Sequence, residues 1–298
     1  MSGSRRTIGI TLGDAAGIGP EVTAAALASG RLHAGFDYRV IGTCPSAQPG
    51  RPNGATAQAA LEALEESVRL LRGDEIAAVV TAPVSKASIA ACGFAFPGQT
   101  EFYAERLGVK DFVMCLTGPH LTVGLVTIHE PLRRVPELVT AEAIIRTGRL
   151  LEEFVRQRGK SEPRIAVAGL NPHAGEQGHM GTEDRDLILP AVMELRRLLP
   201  DAVFSDPLPP DTLFFHAARG AWDAVVCMYH DQGLIPLKLL DFDTAVNVTL
   251  GLPCVRTSPD HGTAFDIAGQ GKASAESMIA AINLAAELTA ARKDVSRR

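Results

Sequence analysis

The chain has 298 residues, 46% of them hydrophobic and 21% charged, enough apolar material for a large core and more length than one average domain needs. A net charge of −5 and only 5% aromatic residues supply neither the basic surface nor the stacking platforms of a nucleic-acid-binding protein. Five scattered cysteines without a C-x-x-C pair, no apolar signal region and no run of about eighteen apolar residues argue against a disulfide scaffold, a cysteine zinc site and membrane insertion; the expectation is a soluble, cytoplasmic protein.

The first element, "RTIGITLGD", is a short apolar run that stops at Gly13 and Asp14. "GIGPEVTAAALASG" follows as a helix, with Pro20 suited to its first turn and Gly30 to its end. A loop rich in Pro, Gly and Ser (44–54) leads to a helix on which Leu61, Leu64, Val68 and Leu71 recur at helical spacing, then to a buried strand in "IAAVVTAPVSK". "LTVGLVTIH" and "RIAVAGLNPH" read as strands flanking a helix with Ala141, Ile145, Gly148, Leu151 and Val155 on one face. Pro190 marks the start of the next helix or a kink in it. "DAVVCMYH" is a further buried strand, and a last amphipathic helix runs from about Ser274 to Arg292. Strands alternating with helices predict an α/β fold, a mostly parallel sheet covered on both sides.

Three histidines stand just past the carboxyl ends of apolar strands. His129 ends "VGLVTIH", His173 follows "IAVAGL", and His230 closes "AVVCMYH". Taken singly, such a histidine is more often a loop residue bonded to a neighbouring backbone group. Their shared placement points to the strand edge where α/β proteins bind ligands, and three imidazoles there would hold a metal with positions left for substrate. His179 and His261 compete for such a role, whereas His33, His120 and His216 belong to no constellation. After His230 come Asp231, then Gly233 as a turn residue, then Lys238.

The glycines of "GDAAGIGPE" have the spacing G-x-x-x-G-x-G, which is not the dinucleotide fingerprint G-x-G-x-x-G, and no P-loop occurs. A tight strand-to-helix turn accounts for them equally well. Asp14 and Glu21 are placed to line a crevice there.

Taken together, "GDAAGIGPE", "TAPVSK", "FPGQTEFYAERLG", "NPHAGEQGHMGTED", "PLPPDTLF", "MYHDQGLIPLK" and "VNVTLGLPCVRTSPDHGTAFDIAGQGKA" resemble the 4-hydroxythreonine-4-phosphate dehydrogenases of vitamin B6 (pyridoxine) biosynthesis, along almost the whole chain. The resemblance implies a two-lobed α/β/α fold like that of the isocitrate and isopropylmalate dehydrogenases, with the active site in the cleft between lobes. It divides the chain into residues 1–98 with 257–298, on the cofactor side, and residues 99–256, carrying metal, substrate and dimer contacts. It implies a divalent metal on His129, His173 and His230, zinc first and magnesium, cobalt, nickel or manganese as alternatives. NAD or NADP would lie against His261, Gly262, Ala264, Asp266 and Gly269. Substrate contacts fall on Gln99, Thr100, Lys238, Asn247 and Arg256. Asp211, Asp231 and Lys238 become the candidates for proton transfer.

The implied reaction is metal-dependent oxidation of 4-phosphooxy-L-threonine at C3, with decarboxylation to 3-amino-2-oxopropyl phosphate. The implied assembly is a homodimer that shares its active sites, with His230 facing the partner subunit's pair of histidines. Two departures stand out: the family's usual "GHTE" is "GQTE" here, which puts Gln99 where a histidine is expected, and Ala15 replaces a proline in "GDAAGIG". Gln99 keeps two other readings open, a related dehydrogenase of a four-carbon sugar-acid phosphate or of a cyclic dihydrodiol carboxylate. A reading of another class is a metal- and nucleotide-binding protein without turnover.

Overall fold

The alternating pattern resolves into strands of four to six residues separated by helices, in a computed structural model that describes residues 5–295. In chain order these are β1 (Arg6–Thr11), α1 (Gly19–Ala28), β2 (Phe36–Ile41), α2 (Gly54–Arg72), β3 (Ala78–Thr81), α3 (Lys86–Ala90) and α4 (Gln99–Arg106). There follow β4 (Val113–Thr117), β5 (Thr122–Leu125), α5 (Val135–Leu138), α6 (Ala141–Gln157), β6 (Arg164–Ala168), α7 (Leu189–Leu198), β7 (Val203–Leu208), α8 (Pro210–Ala217), β8 (Ala224–Cys227) and α9 (His230–Asp241). The chain closes with β9 (Val246–Leu250), β10 (Val255–Pro259) and α10 (Glu276–Val295). Among the described residues no helix is long and apolar enough to cross a membrane.

The chain divides into two compact units, one extending to Lys110 and resuming at Val246, the other spanning Asp111–Ala245. In the first, the strand order is β2-β1-β3-β10-β9, parallel except for β9 against β10. In the second it is β4-β5-β8-β6-β7, parallel except for β4 against β5. Gln99, Thr100, Asn247 and Arg256 therefore fall in the first unit rather than the second, because β9 pairs with β10 and β10 with β3. The second unit packs Val123, Leu125, Ala166, Ala168, Val225 and Cys227 from the sheet, with Leu121 just before β5, against Leu213, Leu234 and Leu237 from the helices. Cys115 and Cys227 are buried as small core residues, while Cys44, Cys92 and Cys254 are half-buried.

Local chemistry sets the element ends. Asn53 caps α2, its Oδ1 accepting from the N–H groups of Ala55 (2.9 Å) and Thr56 (3.1 Å), while Thr56 Oγ1 accepts from the Asn53 N–H. Pro190 lies in the first turn of α7, where its missing N–H costs nothing. Two expectations need correction. The inward face of α6 is Ile144, Thr147, Gly148, Leu151 and Val155, with Ile145 only half-buried. Gly148 seats it so, since a Cβ there would lie 2.6 Å from Leu195 Cδ1 of α7. Gly233 makes no turn either; it lies inside α9, where a Cβ would come within 3.0 Å of Cys227 Sγ and 3.2 Å of Leu125 Cδ2. Its smallness lets α9 lie directly on β8 and β5.

Gly148→Ala is expected to destabilise the protein by about 1–3 kcal/mol, because buried Leu195 has to leave its place. Denaturant unfolding checks this; an unchanged midpoint would show that α6 and α7 are not closely packed at this point.

Candidate functional site

In the first unit the ends of β3 and β9 and the start of α4 gather around one side chain of β10. Arg256, on β10, is only 3% exposed. Its Nη2 donates to Thr81 Oγ1 at 2.6 Å and to Gln99 Oε1 at 3.2 Å, and its Nη1 to Thr249 Oγ1 at 3.2 Å and Thr100 Oγ1 at 3.4 Å. Its Nε is buried with no hydrogen-bond partner among the described residues. The guanidinium also stands 5.8 Å from the ring centroid of buried Tyr103. Every acceptor is neutral, and burial pushes the Arg256 pKa down to about 10. A charge held this way is a seat for an anion. Gln99 is anchored in turn, its Nε2 donating to Ala82 O at 3.3 Å. Asn247, opposite Ser258 across the β9–β10 ladder, has an Oδ1 without a partner among the described residues.

The glycine loop serves a neighbouring segment. The N–H of Ile18 donates to Thr263 O at 2.9 Å, and a Cβ on Gly17 would come within 2.7 Å of that same oxygen. The Gly269 N–H donates to Glu21 Oε2 at 3.1 Å. Close backbone approach, together with φ of +67° at Gly13, accounts for these glycines. His261, Gly262, Ala264, Asp266 and Gly269 thus share one turn-rich segment after β10, with Ala264 (φ 42°) and Gly269 (φ 74°) both left-handed. His261 Nδ1 stands 3.1 Å from Gly262 O, and its buried Nε2 lacks a partner among the described residues.

In the second unit, parallel pairing sets three strand ends level: Leu125 of β5 opposes Cys227 of β8, and Val167 of β6 opposes Val226 of β8. His129, His173 and His230 each follow one of these ends. The structure brings two of them together, the His129 and His230 ring centroids lying 5.6 Å apart. His230 Nδ1 lies 2.7 Å from Asp231 Oδ1, an arrangement that orients the ring and leaves Nε2 for a ligand. Both rings line a pocket of about 380 Å³ with Pro131, Leu132, Val135 and Tyr229.

His173 stands exposed at the head of a run of left-handed residues, His173 to Gln177. Buried Asp184 holds the approach to that run, accepting from the N–H groups of Leu170 (2.7 Å) and Asn171 (3.1 Å). Among the described residues no three His, Cys, Asp or Glu side chains are grouped to hold a metal ion. His230 lies beside His129 of its own chain.

Asp211 is exposed in the first turn of α8, and Lys238 is half-buried on α9 with Nζ 5.8 Å from the Phe242 ring centroid. Sequence reading missed Thr81 and Thr249, the hydroxyls that hold Arg256, since threonine in a strand is ordinary. His120 is structural as expected, its Nδ1 lying 2.6 Å from Asp241 Oδ1.

A family model described as pyridoxal phosphate biosynthetic protein PdxA matches residues 17–285. A 4-hydroxythreonine-4-phosphate dehydrogenase of Bradyrhizobium diazoefficiens is 46% identical to this chain, over 96% of it and 85% of the relative. One of Geobacter metallireducens is 43% identical over 97% of both. The crystal structure of a 4-hydroxythreonine-4-phosphate dehydrogenase from Klebsiella pneumoniae superposes with a TM-score of 0.82 at 35% identity, covering 97% of this chain and 99% of that one. An isocitrate dehydrogenase from Methylococcus capsulatus, 17% identical with a TM-score of 0.54 over 98% of this chain and 89% of that one, shares the fold. The resemblance read from the motifs and the α/β fold expected from it are both borne out.

Inorganic phosphate is expected to raise the thermal unfolding midpoint of the wild type, by stabilisation of about 2.7 kcal/mol at a hundred times its Kd, and to leave Arg256→Met unmoved. Equal shifts in both proteins would show that Arg256 is not the anion seat.

Proposed function

We propose, from the premise that the chain belongs to the family of pyridoxal phosphate biosynthetic protein PdxA, that it is a 4-hydroxythreonine-4-phosphate dehydrogenase. It oxidises 4-phosphooxy-L-threonine at C3, the hydride passing to a nicotinamide cofactor and the hydroxyl proton to a base. The 3-oxo acid so formed loses carbon dioxide and leaves 3-amino-2-oxopropyl phosphate. The observation that carries this reading is the Arg256 guanidinium, buried among neutral oxygens with an unpartnered Nε. The substrate supplies the anion that this arrangement lacks.

Gln99, Thr100, Asn247 and Arg256 bind and orient the substrate, with Lys238 as a further cationic contact. Gln99 donates or accepts a hydrogen bond but adds no charge, so the anion relies on Arg256 and Lys238. His129, His173 and His230 would hold a divalent metal, for which imidazole nitrogens suit zinc first and cobalt, nickel or manganese next. The close His129 and His230 rings, with Asp231 on His230 Nδ1, fit such a donor set. The metal's contribution is that of a Lewis acid, lowering the pKa of the C3 hydroxyl and polarising the carbonyl that replaces it.

Asp231 orients His230, and Asp211 and Lys238 are the groups assigned to proton transfer. The segment from His261 to Gly269 takes the adenosine side of the cofactor. It contains no arginine to receive a 2′-phosphate, which favours NAD over NADP.

The working assembly is a homodimer in the cytoplasm, in which the metal set is completed across two copies. In support, Ile235 and Leu239 of α9, and Phe242 that caps it, recur at helical spacing and are 66%, 83% and 70% exposed, an apolar stripe on the helix that starts at His230, suited to a self-complementary interface. Light scattering is expected to give twice the chain mass, and Leu239→Glu to shift it to one chain; a monomeric, fully active wild type would contradict the shared site.

Purified protein with NAD and 4-phosphooxy-L-threonine is expected to accumulate NADH absorbance, to lose that signal after chelation and to regain it when zinc is restored. Absence of NADH with every restored divalent metal, in protein that still binds NAD, would contradict the assignment.

A further inference from the structure

Gln232 is a buried polar side chain that none of the roles above explains. It is 6% exposed and occupies the third position of α9. A glutamine at that position commonly reaches back to the N–H of the capping residue. Here the cap, Tyr229, offers no side-chain hydrogen bond, and Gln232 reaches one residue further, its Oε1 accepting from the Met228 N–H at 2.7 Å. The other half of the amide crosses to the neighbouring strand end, where Nε2 donates to Gly169 O at 2.7 Å. Met228 is held from its opposite side as well: its carbonyl accepts from the Thr127 N–H (3.2 Å) and from Thr127 Oγ1 (2.7 Å).

These bonds form one buried chain, Thr127 to Met228 to Gln232 to Gly169, across the ends of β5, β8 and β6. Each linked residue lies on the strand end that leads to one of the three histidines: Thr127 to His129, Met228 to His230, Gly169 to His173. We infer that Gln232 is a positioning residue that holds the His230 and His173 turns each in a fixed place on its own strand end, with Thr127 holding His129 likewise, so that every histidine is presented rigidly to the metal set, whichever copy completes it. This rests on the proposed role of those histidines. The demand on side-chain chemistry is specific, because one group has to accept from an N–H and donate to a C=O at once. Glutamine does both. Glutamate keeps the acceptor and loses the donor, and leucine of similar volume loses both.

The test uses the full-length protein and three variants: Gln232→Leu, Gln232→Glu and Thr127→Val, the last keeping its backbone bond and losing only the hydroxyl bond. Zinc affinity is measured by competition with a chromogenic chelator, and the histidine ring resonances are followed in isotope-labelled protein. In folded Gln232→Leu, zinc is expected to bind about 10- to 100-fold more weakly, with KM for NAD unchanged because that site lies in the other unit. The ring signals of His230 and His173 should move while those of His33 and His261 do not. Gln232→Glu should fall between leucine and wild type.

Should Gln232→Leu fail to fold, Thr127→Val decides, through the signals of His129 and His230. Unchanged zinc affinity in a folded variant overturns the inference. A wild type that binds no zinc refutes the metal site proposed above; the ring signals then decide alone, and signals unmoved by Gln232→Leu overturn the positioning role.

Discussion

Burying the Arg256 guanidinium costs on the order of several kcal/mol, and the protein returns only part of it through Thr81, Thr100, Thr249 and Gln99. Glu101 acts on it only electrostatically, raising its pKa against the larger effect of burial, and none of its hydrogen-bond acceptors is a carboxylate. A protein selected for stability alone would replace such a group with an apolar one of similar size. On the proposed function, the group that offsets this cost is the anionic part of the substrate. That buried charge explains why β3, β9 and α4 bring hydroxyls and an amide to the same place, and why Gln99 is itself anchored on Ala82 O.

The second unit solves a different problem with the same architecture. Parallel pairing puts the carboxyl ends of β5, β8 and β6 at one level, so any side chain just beyond them shares an edge. Level strand ends alone do not position an imidazole. Asp231 on His230 Nδ1 and Asp184 on the turn before His173 supply local orientation. The Gln232 amide holds the His230 and His173 turns each in place on its own strand end. Gly233, next in sequence, lets α9 sit close enough on Cys227 and Leu125 for that amide to reach.

Much of this was legible in the residues themselves. Apolar runs marked the strands, Pro20 and Pro190 marked helix starts, and the three histidines stood out because each followed a strand end. What stayed hidden depends on contacts distant in sequence. Thr81 meets Arg256 across 175 positions, and Gln232 meets Gly169 across 63; neither a strand threonine nor a helix glutamine carries a pattern that announces such a partner. The glycines hid part of their role for a related reason. Gly17 does lie in the turn before α1 but is also required by Thr263 O on another segment, and Gly233, which looks like a turn residue in sequence, lies inside α9 against Cys227 Sγ. The α6 stripe was displaced at Ile145 because the close approach of Leu195 to Gly148 decides which side of the helix faces inward.

The account turns on Arg256 as the seat of the substrate's anionic group, and calorimetric titration with 4-phosphooxy-L-threonine and with its dephosphorylated counterpart, 4-hydroxy-L-threonine, tests it most directly. The account predicts that the phosphate ester binds at least about a hundredfold more tightly, since the unphosphorylated amino acid leaves a buried charged donor unpaired. Equal affinity for the two would contradict it.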